Sequence, residues 1–143
     1  MSPVHTIAGF SAEKALDLSA KDVQERLSRS AIPAFFKLAE AWTLKDETAR
    51  QLIGGVSNGV YYQLKQGRQK ALDQDKLTRI SLLVGIFKAL NILYSRKLAD
   101  EWINLANTNP MFQSESPLAY MIKGGVPAMM RVRQLLDARR GGR

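Results

Sequence analysis

Cysteine is absent from this chain of 143 residues, and histidine occurs once, as His5. The first absence excludes a disulfide framework and a thiolate metal centre, and it agrees with a reducing compartment, so the expected location is cytoplasmic. The second excludes a multi-histidine metal site and removes the commonest general base. Residues Met1 to Ala20 lack the apolar core of a secretory signal. The longest apolar run, Ile80 to Leu93, is cut by Ser81, Lys88 and Asn91. It is too short to cross a bilayer, so no membrane role is expected. A glycine loop of the strand–turn–helix kind that cradles phosphates is also missing. Asp100 and Glu101 are neighbours that point to different sides of a helix, and Ser114 and Ser116 have no candidate base nearby. The expectation is a protein that is not an enzyme and holds no cofactor and no metal.

A hydrophobic fraction of 45% is that of a globular chain, and the formal net charge of +8 suits a nucleic-acid partner. No segment alternates apolar and polar residues long enough to demand a sheet, so the predicted fold class is all-α. The clearest organisation lies in residues 46–67. Ala49, Leu52 and Ile53 fall on one helix face, and Gly55 suits the positive φ of a sharp turn. Val56 plugs the corner and Ser57 is an N-cap. Val60, Tyr61 and Leu64 then repeat at helical spacing until Gly67 stops the helix. This is the layout of a helix-turn-helix with the second helix as reader. An ordinary helical hairpin needs the same glycine and the same apolar face. The outward positions favour the reader: Asn58, Gly59, Tyr62, Gln63 and Gln66 are polar or small, and Asn and Gln match adenine edges. Lys65, Arg68 and Lys70 follow with no acid between Ser57 and Lys70, which suits phosphates. The candidate DNA-binding set is therefore Ser57, Asn58, Gly59, Tyr62, Gln63, Lys65 and Arg68.

Around this motif the chain divides into a loose arm at 1–18, a helix-turn-helix unit at 19–72 and a helical unit with a basic tail at 73–143. Ser19 should start a helix from Lys21 to about Ser30, with Val23 and Leu27 inward. Pro33 should interrupt it and open the next helix, which carries Phe35, Phe36, Leu38, Ala39 and Trp42. Leu77, Ile80, Leu83, Val84, Phe87, Leu90 and Leu93 form the apolar stripe of a long helix, and Gly85 is compatible with a close helix crossing or with a tolerated defect. A further helix spans Arg96 to Leu105. Ser116-Pro117 caps a short helix ending at Gly124-Gly125, and Pro127 opens the last one. The tail Ala138-Arg139-Arg140-Gly141-Gly142-Arg143 should not sustain a helix far past its glycines.

The second half resembles a known family. Its residues are Asp75-x-x-x-Arg79-Ile80-x-x-Leu83-x-x-Ile86-x-x-Ala89-Leu90-x-x-Leu93-Tyr94, then Trp102, then Asn109-Pro110-x-Phe112-x-x-x-Ser116-Pro117-Leu118, then Gly124-Gly125 before a valine- and leucine-bearing helix. With a helix-turn-helix ahead of them, these look like the Xre/MbcA/ParS-type antitoxins, over roughly Trp42 to Leu136. Two departures stand out. A glycine pair is expected where Gln113 and Ser114 stand, and the gap from Trp102 to Asn109-Pro110 is longer than the family pattern. The resemblance implies a bacterial antitoxin that forms a homodimer, represses its own operon by binding operator DNA, and inhibits a RES-type toxin that destroys NAD. The candidate toxin-binding residues are Ser116, Met121, Lys123, Arg131, Arg139 and Arg140, because methionine is adaptable on partner surfaces and arginine suits carboxylates in a toxin cleft. From Arg131 onward five arginines stand against one acid, Asp137. Core packing explains the methionines equally well, and a solvated tail explains the arginines. The alternative function is a stand-alone helix-turn-helix repressor whose C-terminal half only dimerises.

Overall fold

The computed structural model describes residues 17–68 and 71–141, and the backbone of 6–7 and 10–11. Strands β1 (Thr6–Ile7) and β2 (Phe10–Ser11) pair antiparallel, with Ile7 opposite Phe10, and form a small ribbon inside the segment read as a loose arm. The body is all-helical, as expected: α1 (Lys21–Ala41), α2 (Asp46–Leu52), α3 (Asn58–Lys65), α4 (Gln74–Leu93), α5 (Arg96–Trp102), a 3-10 turn (Pro110–Phe112) and α6 (Pro117–Arg140). His5, Lys70, Gly142 and Arg143 lie outside the described residues.

Helix α4 is the axis of the molecule. It packs against α1 on one side and α6 on another, with α5 across its C-terminal end. Its buried residues include the consecutive run Leu83, Val84, Gly85 and Ile86. This run of four covers every side of one helical turn, so in its middle α4 is a core helix, and the single stripe read from the sequence is only part of its contact surface. Of the two readings of Gly85, the structure favours the close crossing: a methyl group there would collide with the Arg133 guanidinium, so the α6 arginine lies directly over the glycine.

Several helix boundaries differ from expectation, among them the end of α5, which stops at Trp102 and not at Leu105. Helix α1 runs unbroken through Pro33, and its N-cap is Ala20, not Ser19. Proline costs a backbone bond and a ring clash, about 3 kcal/mol or more inside a helix. Pro33 sits on the exposed face, while Ala31, Ile32, Phe35 and Leu38 around it are buried, and that packing holds the helix together. The tail agrees with expectation: α6 ends at Arg140 with Gly141 as its C-cap, so the helix does not run past the glycines, and Arg139 is tied down. The break in α6 falls where the glycines and Pro127 placed it. Gly125 adopts φ 62° and ψ −146°, a region essentially confined to glycine.

Ser28 is a buried polar residue and makes two bonds. Its Oγ donates to Gln24 O at 2.6 Å and accepts from Leu72 N at 2.8 Å. It pins the segment after α3 to α1, and so fixes where the chain leaves α3.

Candidate nucleic-acid interface

Helix α2 is short, so its ends decide its geometry. Asp46 and Glu47 in its first turn complement the helix dipole. Its C-terminus is closed by a Schellman pair: Gly54 N donates to Gln51 O at 3.2 Å, and Gly55 N donates to Arg50 O at 2.7 Å. The sequence pointed to Gly55 for the turn. Both glycines hold positive φ, 115° at Gly54 and 81° at Gly55. Val56 is half-buried at the corner, and Ser57 Oγ accepts from Val60 N at 3.2 Å, capping α3. A second Schellman pair ends α3, from Gly67 N to Leu64 O and from Arg68 N to Gln63 O.

These caps fix which side of α3 faces inward. Tyr61 and Leu64 are buried, and the Tyr61 ring rests against Phe36 of α1 at 5.3 Å between centroids. Burial, and then the Asp46 carboxylate, push the Tyr61 phenol above its usual range. Every member of the candidate set is exposed: Ser57, Asn58, Gly59, Tyr62, Gln63, Lys65 and Arg68. Tyr62 is 61% exposed, an unusual position for an aromatic side chain in a monomer. Lys65 Nζ lies 3.5 Å from Asp46 Oδ1, an exposed pair of the kind worth at most about 1 kcal/mol and easily exchanged for a phosphate.

The six C-terminal candidates do not form one surface. Ser116 Oγ accepts from Ala119 N at 3.1 Å and is spent on capping α6. Met121 is fully buried, so its place among contact residues is corrected to core packing; Met130, 47% exposed, is the accessible methionine. Lys123 Nζ lies 2.6 Å from Glu115 Oε2. Arg131 Nη1 donates to Tyr120 Oη at 3.4 Å, and that bond raises its pKa. Eleven residues of straight helix would set these two Cα atoms about 16 Å apart, so the break at Gly125 helps them meet. Arg139 Nη1 donates to Tyr94 Oη at 3.0 Å, and Arg140 stands 3.7 Å from Asp137.

Two residues organise this region: Asn104, which was not singled out from the sequence, and Arg79, which stood there only as part of the family pattern. Asn104 Nδ2 donates to Trp42 O at 2.9 Å and ties the end of α1 to the loop after α5. Arg79 of α4 bonds Asp75 and reaches the end of α2. Its i, i+4 partner in the sequence makes it read as a surface ion pair, which conceals the longer contact.

Residues 23–85 match the family described as the antitoxin Xre-like helix-turn-helix domain. The chain is also 36% identical over 112 residues to an uncharacterized protein, y4oB, of Sinorhizobium fredii (strain NBRC 101917 / NGR234). That alignment covers 78% of this chain and 84% of the relative. Among the described residues no helix is long and apolar enough to cross a membrane.

Proposed function

We propose that this chain, which belongs to the family of proteins carrying an antitoxin Xre-like helix-turn-helix domain, is the DNA-binding antitoxin of a toxin–antitoxin pair. In this reading α3 enters the major groove of operator DNA and represses the operon, residues 19–72 act as the DNA-binding unit, and residues 73–143 dimerise and hold the toxin. The toxin is of the RES type, an NAD-degrading enzyme, and the antitoxin itself acts by binding alone in the cytoplasm. The single observation that carries the DNA-binding part is the outward face of α3. Amides, a small residue, an exposed tyrosine and two cations share it, immediately after a turn closed by two positive-φ glycines. The RES assignment rests on the resemblance of residues 75–136 and on the cations exposed along α6.

Asn58, Tyr62 and Gln63 face base edges in this reading, and Ser57, Lys65 and Arg68 hold phosphates. Asn58→Ala then costs about 1–3 kcal/mol on the operator and little on random DNA. Lys65→Ala weakens binding to both and lowers the salt slope by about 1. Gel-shift titrations on the region upstream of the gene test this, and two substitutions without effect would remove α3 as the reader. Co-expression with the product of the neighbouring gene, followed by a pull-down, tests the toxin partner.

A further inference from the structure

A groove of about 430 Å³ separates the α2–α3 turn from the break in α6. Gly54 and Gly55 line one wall, Gly125 and Lys123 the other, and Arg79 lies between them. Both cations at this groove are engaged, Lys123 by Glu115 and Arg79 by Asp75. The arrangement is that of a joint and not of an anion pocket.

Arg79 bonds the wall formed by α2 and lies beside the wall formed by the α6 break. Its Nε donates to Asp75 Oδ2 at 2.9 Å, which orients the guanidinium. Its Nη1 donates to Leu52 O at 3.4 Å. That carbonyl belongs to the last turn of α2. The Schellman pair satisfies the carbonyls of Arg50 and Gln51, and among the described residues that of Leu52 has no backbone donor. On the turn side, a methyl on Gly54 would stand 3.2 Å from Asp75 Oδ2 and 3.4 Å from Arg79 Nε. On the α6 side, a methyl on Gly125 would stand 3.5 Å from Arg79 Nη2. One planar cation therefore fills the space between two glycine-only backbone positions, and its side chain is only 18% exposed.

We propose that Arg79 is a positioning residue for the reader helix, and that it transmits the geometry of the α6 break at Gly125 to the α2–α3 turn. The inference rests on the reading of α3 as the DNA-contacting helix. A partner seated on α6 would then alter operator affinity through this side chain, because the guanidinium that bonds the end of α2 also borders the break. Lysine cannot replace it, since an ammonium lacks the planar fork that serves Asp75 and Leu52 O together.

The test compares the full-length protein with its Arg79→Lys variant by hydrogen exchange. Loss of the Leu52 O bond should speed exchange about tenfold at the amides of Gly54 and Gly55, and also at Val126 and Ala128. Amides in the middle of α1, such as Leu38, should stay unchanged. A uniform increase across the chain, or an increase at only one of the two stretches, overturns the joint. The second readout is operator affinity in a cycle of Arg79→Lys with Gly125→Ala. The two effects should depart from additivity by about fivefold or more, as contacting residues do, with the salt slope unchanged. Additive effects overturn the coupling, and a reduced salt slope overturns it too, by making Arg79 a phosphate contact. Should Gly125→Ala not fold, the exchange comparison on Arg79→Lys alone decides. If the wild type binds no DNA, the DNA-binding reading falls by itself, and the exchange pattern still decides the joint.

Discussion

Among the described residues, Thr43, Gln113 and Ser114 hold positive φ without being glycine, at 56°, 50° and 69°. The left-handed region costs a residue with a Cβ about 1–2 kcal/mol. Gln113 and Ser114 stand where the resemblance leads one to expect a glycine pair, and both hold a backbone conformation that glycine adopts without strain. Ser114→Gly should therefore stabilise the protein. The relieved strain exceeds the extra chain entropy of glycine, about 0.5–1 kcal/mol, by a few tenths or more. A thermal melt checks this, and a lowered midpoint would show that the hydroxyl has a role of its own. Thr43 closes α1 in the same way, with Leu44 N donating to Ala39 O, and being β-branched it should gain more from glycine. Trp102 belongs to the opposite class. It is 7% exposed and meets Phe112 edge-on at 6.1 Å, so Trp102→Ala should cost about 3–5 kcal/mol in a denaturant titration.

At the scale of elements, some helix ends were legible, the Ser57 and Ser116 caps and the glycine stops, while the start of α1 and the end of α5 were not. Helices α3, α4, α5 and α6 each start at a Ser or Asp whose side chain accepts a first-turn amide, and glycines end α2 and α3. Asp73 gives the sharpest test. Its Oδ1 accepts from Lys76 N at 3.0 Å, and this bond, more than the Lys76 ammonium, holds its carboxyl below the usual range. A depressed folded-state pKa contributes stability above the unfolded value near 3.8, and that stability is lost as pH falls through the lower, folded value. Asp73→Ala should cost about 0.5–2 kcal/mol at neutral pH and flatten stability in the acid range, whereas Asp73→Asn keeps the cap and loses only the pH dependence. Melts at several pH values check the sign. Helix continuity was harder to read. A proline at position 33 reads locally as a break, and only the tertiary burial of Ile32 and Phe35 overrides it. Contacts across long sequence separations, such as Ser28 to Leu72 and Arg79 to Leu52, leave no local pattern at all. In the candidate site the exposed face of α3 was readable from helical period, but Met121 was not. A methionine on an amphipathic helix looks the same whether its face meets the core or a partner.

The whole molecule brings two surfaces together around one core. The exposed amide-rich face is built on α3, which leans on α1, and the cationic face is built on α6, which packs along α4. The two should separate on mutation. Arg131 and Arg140 are exposed, and their bonds to Tyr120 and Asp137 lie at the surface, so reversing both charges removes no core contact. Arg131→Glu with Arg140→Glu should leave the melting midpoint and operator affinity near those of the wild type. If carboxylates of the toxin receive these arginines, the same protein should fail to protect NAD when mixed with toxin at equal concentrations. Met121→Ala is the complementary variant. It empties a fully buried position and should cost about 2–5 kcal/mol of stability. Below its melting range it should still neutralise the toxin, because the surface is intact. The reverse pattern, with neutralisation kept by the charge reversals and lost in folded Met121→Ala, would return Met121 to the contact surface. It would also mean that α6 opens when the toxin binds. An NAD assay and a melting curve on the same two proteins decide between a rigid cationic face and one that must unfold locally to act.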